Sequence, residues 1–208
     1  LGKFKEAEIA LREAIKIKPD FAIAYNNLGH ILKRKNKLNE AELYTRKAIN
    51  IDPSFADAYA NLGTILLELG KHQESEVSLR NAINLNPDNA SNYFNLGIIL
   101  IHLGKPKEAK KLTKKALSIR PSFASAAWNL YGLSNNIEEA EENIKLCLSI
   151  DKDFTKAKLT LCALRFHQGD KSYFNELIKS KYKSHEIMRS LKWVSTLPEI
   201  PRIFFDRW

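Results

Sequence analysis

The sequence predicts an all-α chain built as a solenoid, in which one antiparallel helix pair is repeated along the array. Two observations predict it. Pro19, Pro53, Pro87 and Pro121 follow one another at intervals of 34 residues, and a fixed period of this size marks a repeat architecture. The segments "AYNNLGHIL", "AYANLGTIL" and "NYFNLGIIL", starting at Ala24, Ala58 and Asn92, keep the same interval, and "AAWNLYGL" from Ala126 is a weaker echo. Within each period the apolar residues recur at helical spacing.

The period divides the chain into units. Residues 1–21 are the back part of an earlier unit, 22–55, 56–89 and 90–123 are full units, and 124–154 is a shortened one. A degenerate unit starts at 155, and the array runs over about residues 1–170. In the first helix of a unit, Tyr59, Leu62, Gly63 and Leu66 fall at helical spacing. A turn such as "LGKH" follows, where Gly2, Gly70 and Gly104 are expected to supply left-handed backbone. Asn36 stands in the same slot of its unit and is the next most tolerant residue for that geometry. Pro106 sits in the first turn of a second helix, where proline loses no helical hydrogen bond. The second helices carry Ala41 and Ala48, Ser75 and Ala82, Ala109 and Ala116, small residues that allow two helices to approach closely. "IDPS", "LNPD" and "IRPS" end them, because proline stops a helix.

The fifth unit departs from the pattern. From Pro121 to Lys152 is 31 residues, and the turn "SNNIEEA" is expected to be the short part. A last helix pair is expected over 155–168 and 172–182, then a helix over 184–195, then an extended segment forced by Pro198 and Pro201. Residues 171–208 are read as a C-terminal cap, with the apolar "IFFDRW" packing on something, such as a following domain. Terminal repeats must change, since their outer face has no neighbour to cover it. The opening "LGKFKEAEIALREA" reads as the inside of a repeat, so the true N-terminus is expected to be missing.

Composition narrows the function. Hydrophobic residues make up 44% of the 208, enough for a folded core, and no apolar run approaches the roughly 20 residues of a membrane span. The net charge of +9 is spread along the chain and points only weakly to acidic partners. Cys147 and Cys162 form no metal-binding pair. They sit where the repeat uses small residues, so both are expected as buried hydrophobes in a reducing, cytoplasmic setting. His30, His72, His102, His167 and His185 form no zinc motif and lie near no nucleophile motif. No catalytic triad, phosphate loop or cofactor motif is present, so neither catalysis nor a cofactor or metal is expected.

The pattern of Tyr25, Leu28, Gly29, Leu32, Ala41, Ala48 and Pro53 resembles the tetratricopeptide repeat family, and the next two units match nearly as well. That resemblance implies a right-handed superhelix of helix pairs, with the first helices lining a concave groove. It also implies a protein or peptide partner. Similar arrays precede transferase domains, so a recruiting arm of a glycosyl-, sulfo- or methyltransferase is the alternative reading. Self-association by stacking of exposed array ends is a further expectation. Nucleic acid is disfavoured, because readers of RNA repeat base-specific groups in register, whereas Ile23, Asp57, Ser91 and Ser125 vary.

Asparagine recurs as Asn27, Asn61, Asn95 and Asn129, each directly before leucine. Leu28 and Tyr25 point to the second helix. Asn27 lies about 100° round from Leu28, towards the groove. A primary amide both donates and accepts, so it can pair with both groups of a peptide bond. The repeat array of O-linked N-acetylglucosamine transferases is similar, and its asparagines at this place hold peptide backbone. Asparagine is also the common family residue there, so inherited scaffold chemistry is the competing account. Asn26, His30, Lys33 and Arg34 are expected to make the groove polar and basic at one end, and Phe94 and Ile98, with Ile101 and Trp128, apolar at the other. The C-terminal helix is expected to cover Trp128. A carboxylate clamp is not matched, since its places hold Asn26, Ala60 and Phe94.

Overall fold

The computed structural model describes residues 2–167. All regular structure among them is helical: α1 (Gly2–Ile17), α2 (Ala22–Arg34), α3 (Leu38–Ile51), α4 (Ala56–Glu68), α5 (His72–Leu85), α6 (Ala90–His102), α7 (Pro106–Ile119), α8 (Ala124–Gly132), α9 (Ile137–Ile150) and α10 (Thr155–His167). The helices expected over 172–182 and 184–195, and the extended apolar segment, lie outside the described residues. The chain divides into two compact units, Leu1–Ile119 and Arg120–Trp208. The fold is an all-α repeat of antiparallel helix pairs, as the period predicts.

In the first unit each pair packs through a narrow seam. Leu28, Leu32, Ala41 and Ile65 are fully buried in one cluster, flanked by Leu11, Ile15, Tyr44 and Leu69. Tyr25, Ala48 and Ala58 form the next cluster with Phe55 and Ile49. The seam is tight because of glycine. A Cβ at Gly29 would collide with Thr45 Oγ1 and lie 3.1 Å from the Ala41 carbonyl oxygen, and one at Gly63 would lie 2.6 Å from Leu79 Cγ. Hydroxyls in the seam find acceptors: Thr45 donates to the Ala41 carbonyl at 2.8 Å, and Ser75 to that of Gly63 at 2.5 Å.

The turns carry the predicted backbone. Asn36 has φ 59°, Gly70 73° and Gly104 70°. At each, the next amide bonds back over the helix end: Lys37 N to Leu32 O at 2.9 Å, Lys71 N to Leu66 O at 2.9 Å, and Lys105 N to Leu100 O at 2.8 Å. This is the left-handed C-terminal cap that satisfies otherwise orphaned carbonyls. Gly2 differs from expectation, since it is the first residue of α1 and so helical.

In the second unit α8 packs on α9 and α9 on α10. The missing residues of the fifth repeat come from a different place than expected. The turn is intact, but α8 has 9 residues where α2, α4 and α6 have 13. Asn136 caps α9 by accepting from the Glu139 amide at 2.8 Å, and Glu139 reaches back to the Asn135 amide at 3.0 Å. That reciprocal cap fixes where α9 begins, so the deletion falls on the end of α8.

The second helices of the first unit are laced by charge. Glu8 pairs with Arg12 at 2.8 Å and Lys35 at 2.6 Å. Glu42 pairs with Arg46 at 2.9 Å and Lys71 at 2.8 Å. Glu76 pairs with Arg80 at 2.7 Å and Lys105 at 3.0 Å. The arginines reach the following pair: Arg46 to Glu74 at 2.5 Å and Arg80 to Glu108 at 2.7 Å, with Arg12 more distant from Glu40 at 3.7 Å. Hydrogen bonds from Lys35 and Arg12 hold Glu8 below the usual carboxylate range. For Glu42 and Glu76 burial pushes the other way, but bonds from Lys71 and Arg46, and from Arg80 and Lys105, outweigh it.

Two outcomes test this account. Gly29→Ala should lower stability by about 3 kcal/mol through overpacking, and adding Thr45→Ala should recover part of the loss in urea unfolding. For the charge ladder, each glutamate has a folded pKa below its unfolded value. Its stabilisation is therefore fully present above roughly pH 4.3 and is lost as the pH falls through the folded values. Replacing Glu8, Glu42 and Glu76 with Gln should cost about 1 kcal/mol or less per site at neutral pH and flatten the loss of stability on acidification, as followed by circular dichroism.

Candidate peptide-binding face

The first helices of the first unit lie side by side: α2 touches α4, and α4 touches α6. They form one layer, and the second helices form the other. Leu28, Leu62 and Leu96 are at most 3% exposed, and each is preceded by an asparagine nearer the surface. Asn27 is exposed, while Asn61 and Asn95 are half-buried. The recurring asparagine therefore occupies one place on this layer, beside the buried leucine.

Closer approach of α2 and α4 changes the role of two predicted groove residues. Asn26 is only 4% exposed, and its Oδ1 accepts from Asn61 Nδ2 at 2.8 Å. It is a bridge between neighbouring first helices, not an exposed contact. Lys33 is likewise committed to the seam, donating to Thr64 Oγ1 at 2.9 Å and pairing with Glu68 at 3.1 Å. Thr64 in turn donates to the Asn61 carbonyl at 2.9 Å. The physical reason is spacing: adjacent helices with short side chains at the contact bring these positions within direct hydrogen-bond reach.

His30 and Arg34 stay exposed on α2. Partial burial of the imidazole, with the charges of Arg34 and Lys33 close by, lowers the His30 pKa. The Arg34 guanidinium lies 4.8 Å from the centre of the Phe4 ring. On α6, Phe94 and Ile98 are half-buried and Ile101 is 39% exposed. The face is thus polar on α2 and apolar on α6.

Asn129 belongs to the second unit and behaves differently. Its Nδ2 is buried and has no hydrogen-bond partner among the described residues. Trp128 beside it packs on Tyr131 and Phe154, with ring centres 4.7 and 5.6 Å apart. Any cover from the C-terminal helix would involve residues outside those described. Cys147 is buried as expected, its thiol 3.4 Å from the Ala124 carbonyl oxygen. Burial, with Asp151 nearby, raises its pKa to about 11.

One association escaped sequence reasoning. His72 and His102 stack, with ring centres 4.9 Å apart and planes within 15°. The only signal for it was that both flank turns of successive repeats. No group of three or more His, Cys, Asp or Glu residues suited to a metal occurs among the described residues. None of the described helices is long and apolar enough to cross a membrane.

Comparison with known proteins places the repeat. Tetratricopeptide repeat models match residues 1–36, 22–55 and 54–122. No curated protein matches the chain in sequence. Among solved structures, YrrB, described as a TPR protein with an unusual peptide-binding site, superposes with a TM-score of 0.68 at 20% identity, covering 88% of this chain and 98% of that one. Pseudomonas aeruginosa PilF gives 0.79 at 24% identity, over 90% of this chain and 89% of that one. An O-GlcNAc transferase of Thermobaculum terrenum gives 0.59 at 22% identity, over 62% of this chain but only 26% of that one. These likenesses show the fold. The matched models together run over residues 1–122 of the 208, and that stretch is built of tetratricopeptide repeats.

Proposed function

We propose that the chain is a binding scaffold without catalysis of its own, and that the face formed by α2, α4 and α6 holds an extended peptide or protein segment. The observation that carries this is the recurrence of Asn27, Asn61 and Asn95 at one place on successive first helices, beside buried leucines. Helices pack about 8–10 Å apart and an extended chain advances about 3.3 Å per residue. Successive asparagines therefore meet a ligand backbone every third residue or so. The bond from Asn61 to Asn26 fixes the Asn61 amide and leaves its oxygen and second N–H for a ligand. Such contacts read backbone, while Phe94, Ile98 and Ile101 supply apolar surface on α6. The peptide-binding site described for YrrB, which shares the fold, favours the same reading. Asn129, with its amide nitrogen buried, is left out, so the ladder has three rungs.

The test is selection of peptides on the immobilised chain from a random library, followed by affinity measurement. Replacing Asn27, Asn61 and Asn95 together with Ala should weaken the selected peptides by at least about tenfold while helicity stays unchanged; equal affinity would sink the ladder. Asn26→Ala should cost about 1 kcal/mol of stability for the lost hydrogen bond. Its effect on peptide affinity should vanish in an Asn61→Ala background, the outcome a double-mutant cycle reads directly.

A further inference from the structure

The outer side of the first unit repeats one arrangement and then abandons it. On α1, α3 and α5 the matching places hold Glu8, Glu42 and Glu76, then Ile9, Leu43 and Val77, then Arg12, Arg46 and Arg80. On α7 the same places hold Lys110, Lys111 and Lys114. The middle place faces water throughout, since Ile9, Leu43 and Val77 are 55%, 53% and 61% exposed. Lys107, Lys111, Lys114 and Lys115 are all exposed. Residues three and four apart share a helix face, so Lys107, Lys111 and Lys114 stand in a row with Lys115 one turn from Lys111. These four are the exposed lysines of α7, and its one acidic residue, Glu108, is held by Arg80 at 2.7 Å. Like charges at this spacing repel, and an anionic partner relieves that repulsion.

We infer that this lysine row, with Val77 on α5, is a second docking surface, and that it takes an acidic amphipathic helix of a partner protein. Four grounds select that partner among polyanions. Carboxylates spaced three and four apart on a helix rise at the same pitch as the lysine row, so the two rows match. The Arg80–Glu108 and Lys105–Glu76 pairs tie α5 to α7 and its leading turn. Exposed Val77 holds on α5 the repeat place that Lys111 holds on α7, so it adds to the row an apolar contact that a partner helix can use and a phosphate backbone cannot. α7 has no arginine and no aromatic residue, so it lacks the guanidinium forks and stacking surfaces of nucleic-acid grooves. None of its exposed residues is a large apolar side chain able to enter a bilayer. The surface lies on second helices, away from the asparagine face, and stands or falls separately from it.

The test uses the whole chain and three labelled probes: a peptide of three Leu-Glu-Ala-Leu-Glu-Glu-Ala heptads, an oligothymidine, and phosphatidylserine vesicles. The peptide should bind saturably and weaken steeply between about 50 and 200 mM salt. Lys111→Glu with Lys114→Glu and Lys115→Glu should reduce its affinity at least about tenfold, and Val77→Asp should reduce it further. A control with the same charge change, Lys5→Glu with Lys152→Glu and Lys156→Glu, should move affinity less than about twofold. Should the triple Glu variant lose helicity, the triple Gln variant decides instead, with a several-fold loss expected. Absence of saturable peptide binding at low salt overturns the inference, as does an equal loss in the control. Tighter capture of the oligonucleotide or the vesicles through the same lysines also overturns it, in favour of phosphate or membrane.

Discussion

The whole arrangement rests on how closely the two helices of a pair can approach. At Gly29 and Gly63 the facing helix occupies the space where a Cβ would be. Small partners complete the contact: Ala41 on one side and Ser75 on the other are fully buried. The two seams solve the same problem with different chemistry. Thr45 turns its hydroxyl back on its own helix, whereas Ser75 bonds across to the first helix. Once this distance is set, the inward direction of Leu28 and Leu62 follows, and so does the surface position of the asparagine before each.

Much of this was legible in the sequence, because its causes are local and repeated. Proline, left-handed turn residues and small seam residues each act within a few positions, and the period shows each of them several times. The fifth repeat was harder. A count locates a missing stretch but not the element that lost it, although the Asn136 to Glu139 cap was readable as a helix start. Residues whose role depends on distances between helices were not legible. Asn26 looked like a groove residue and is a bridge, since nothing in one helix reveals how near its neighbour comes. The charge ladder needed two periods read together, the helical turn for Glu42 with Arg46 and the repeat for Arg46 with Glu74.

The two faces of the first unit divide the available chemistry. The layer of first helices keeps asparagine amides and apolar side chains at its surface, with His30 and Arg34 exposed at the α2 end, and pairs Lys33 with Glu68. The layer of second helices carries most of the charge, with glutamate and arginine alternating on α1, α3 and α5 and lysine at the matching places of α7. The side chains that suit a backbone-reading contact and those that suit an acidic one are thus kept on separate layers.

The Asn26–Asn61 bridge has a mechanical consequence. It is supported by Lys33 with Thr64 and Glu68, so α2 and α4 are riveted by directional bonds. The corresponding places between α4 and α6 hold Ala60 with Asn95, and Leu67 with Ile98 and His102. Ala60 and Leu67 have no side-chain hydrogen-bonding group, so neither the Asn26–Asn61 bond nor the Lys33 contacts can be repeated there. The residues that rivet α2 to α4 are thus not repeated between α4 and α6, and the two joints of this face differ in the chemistry that holds them.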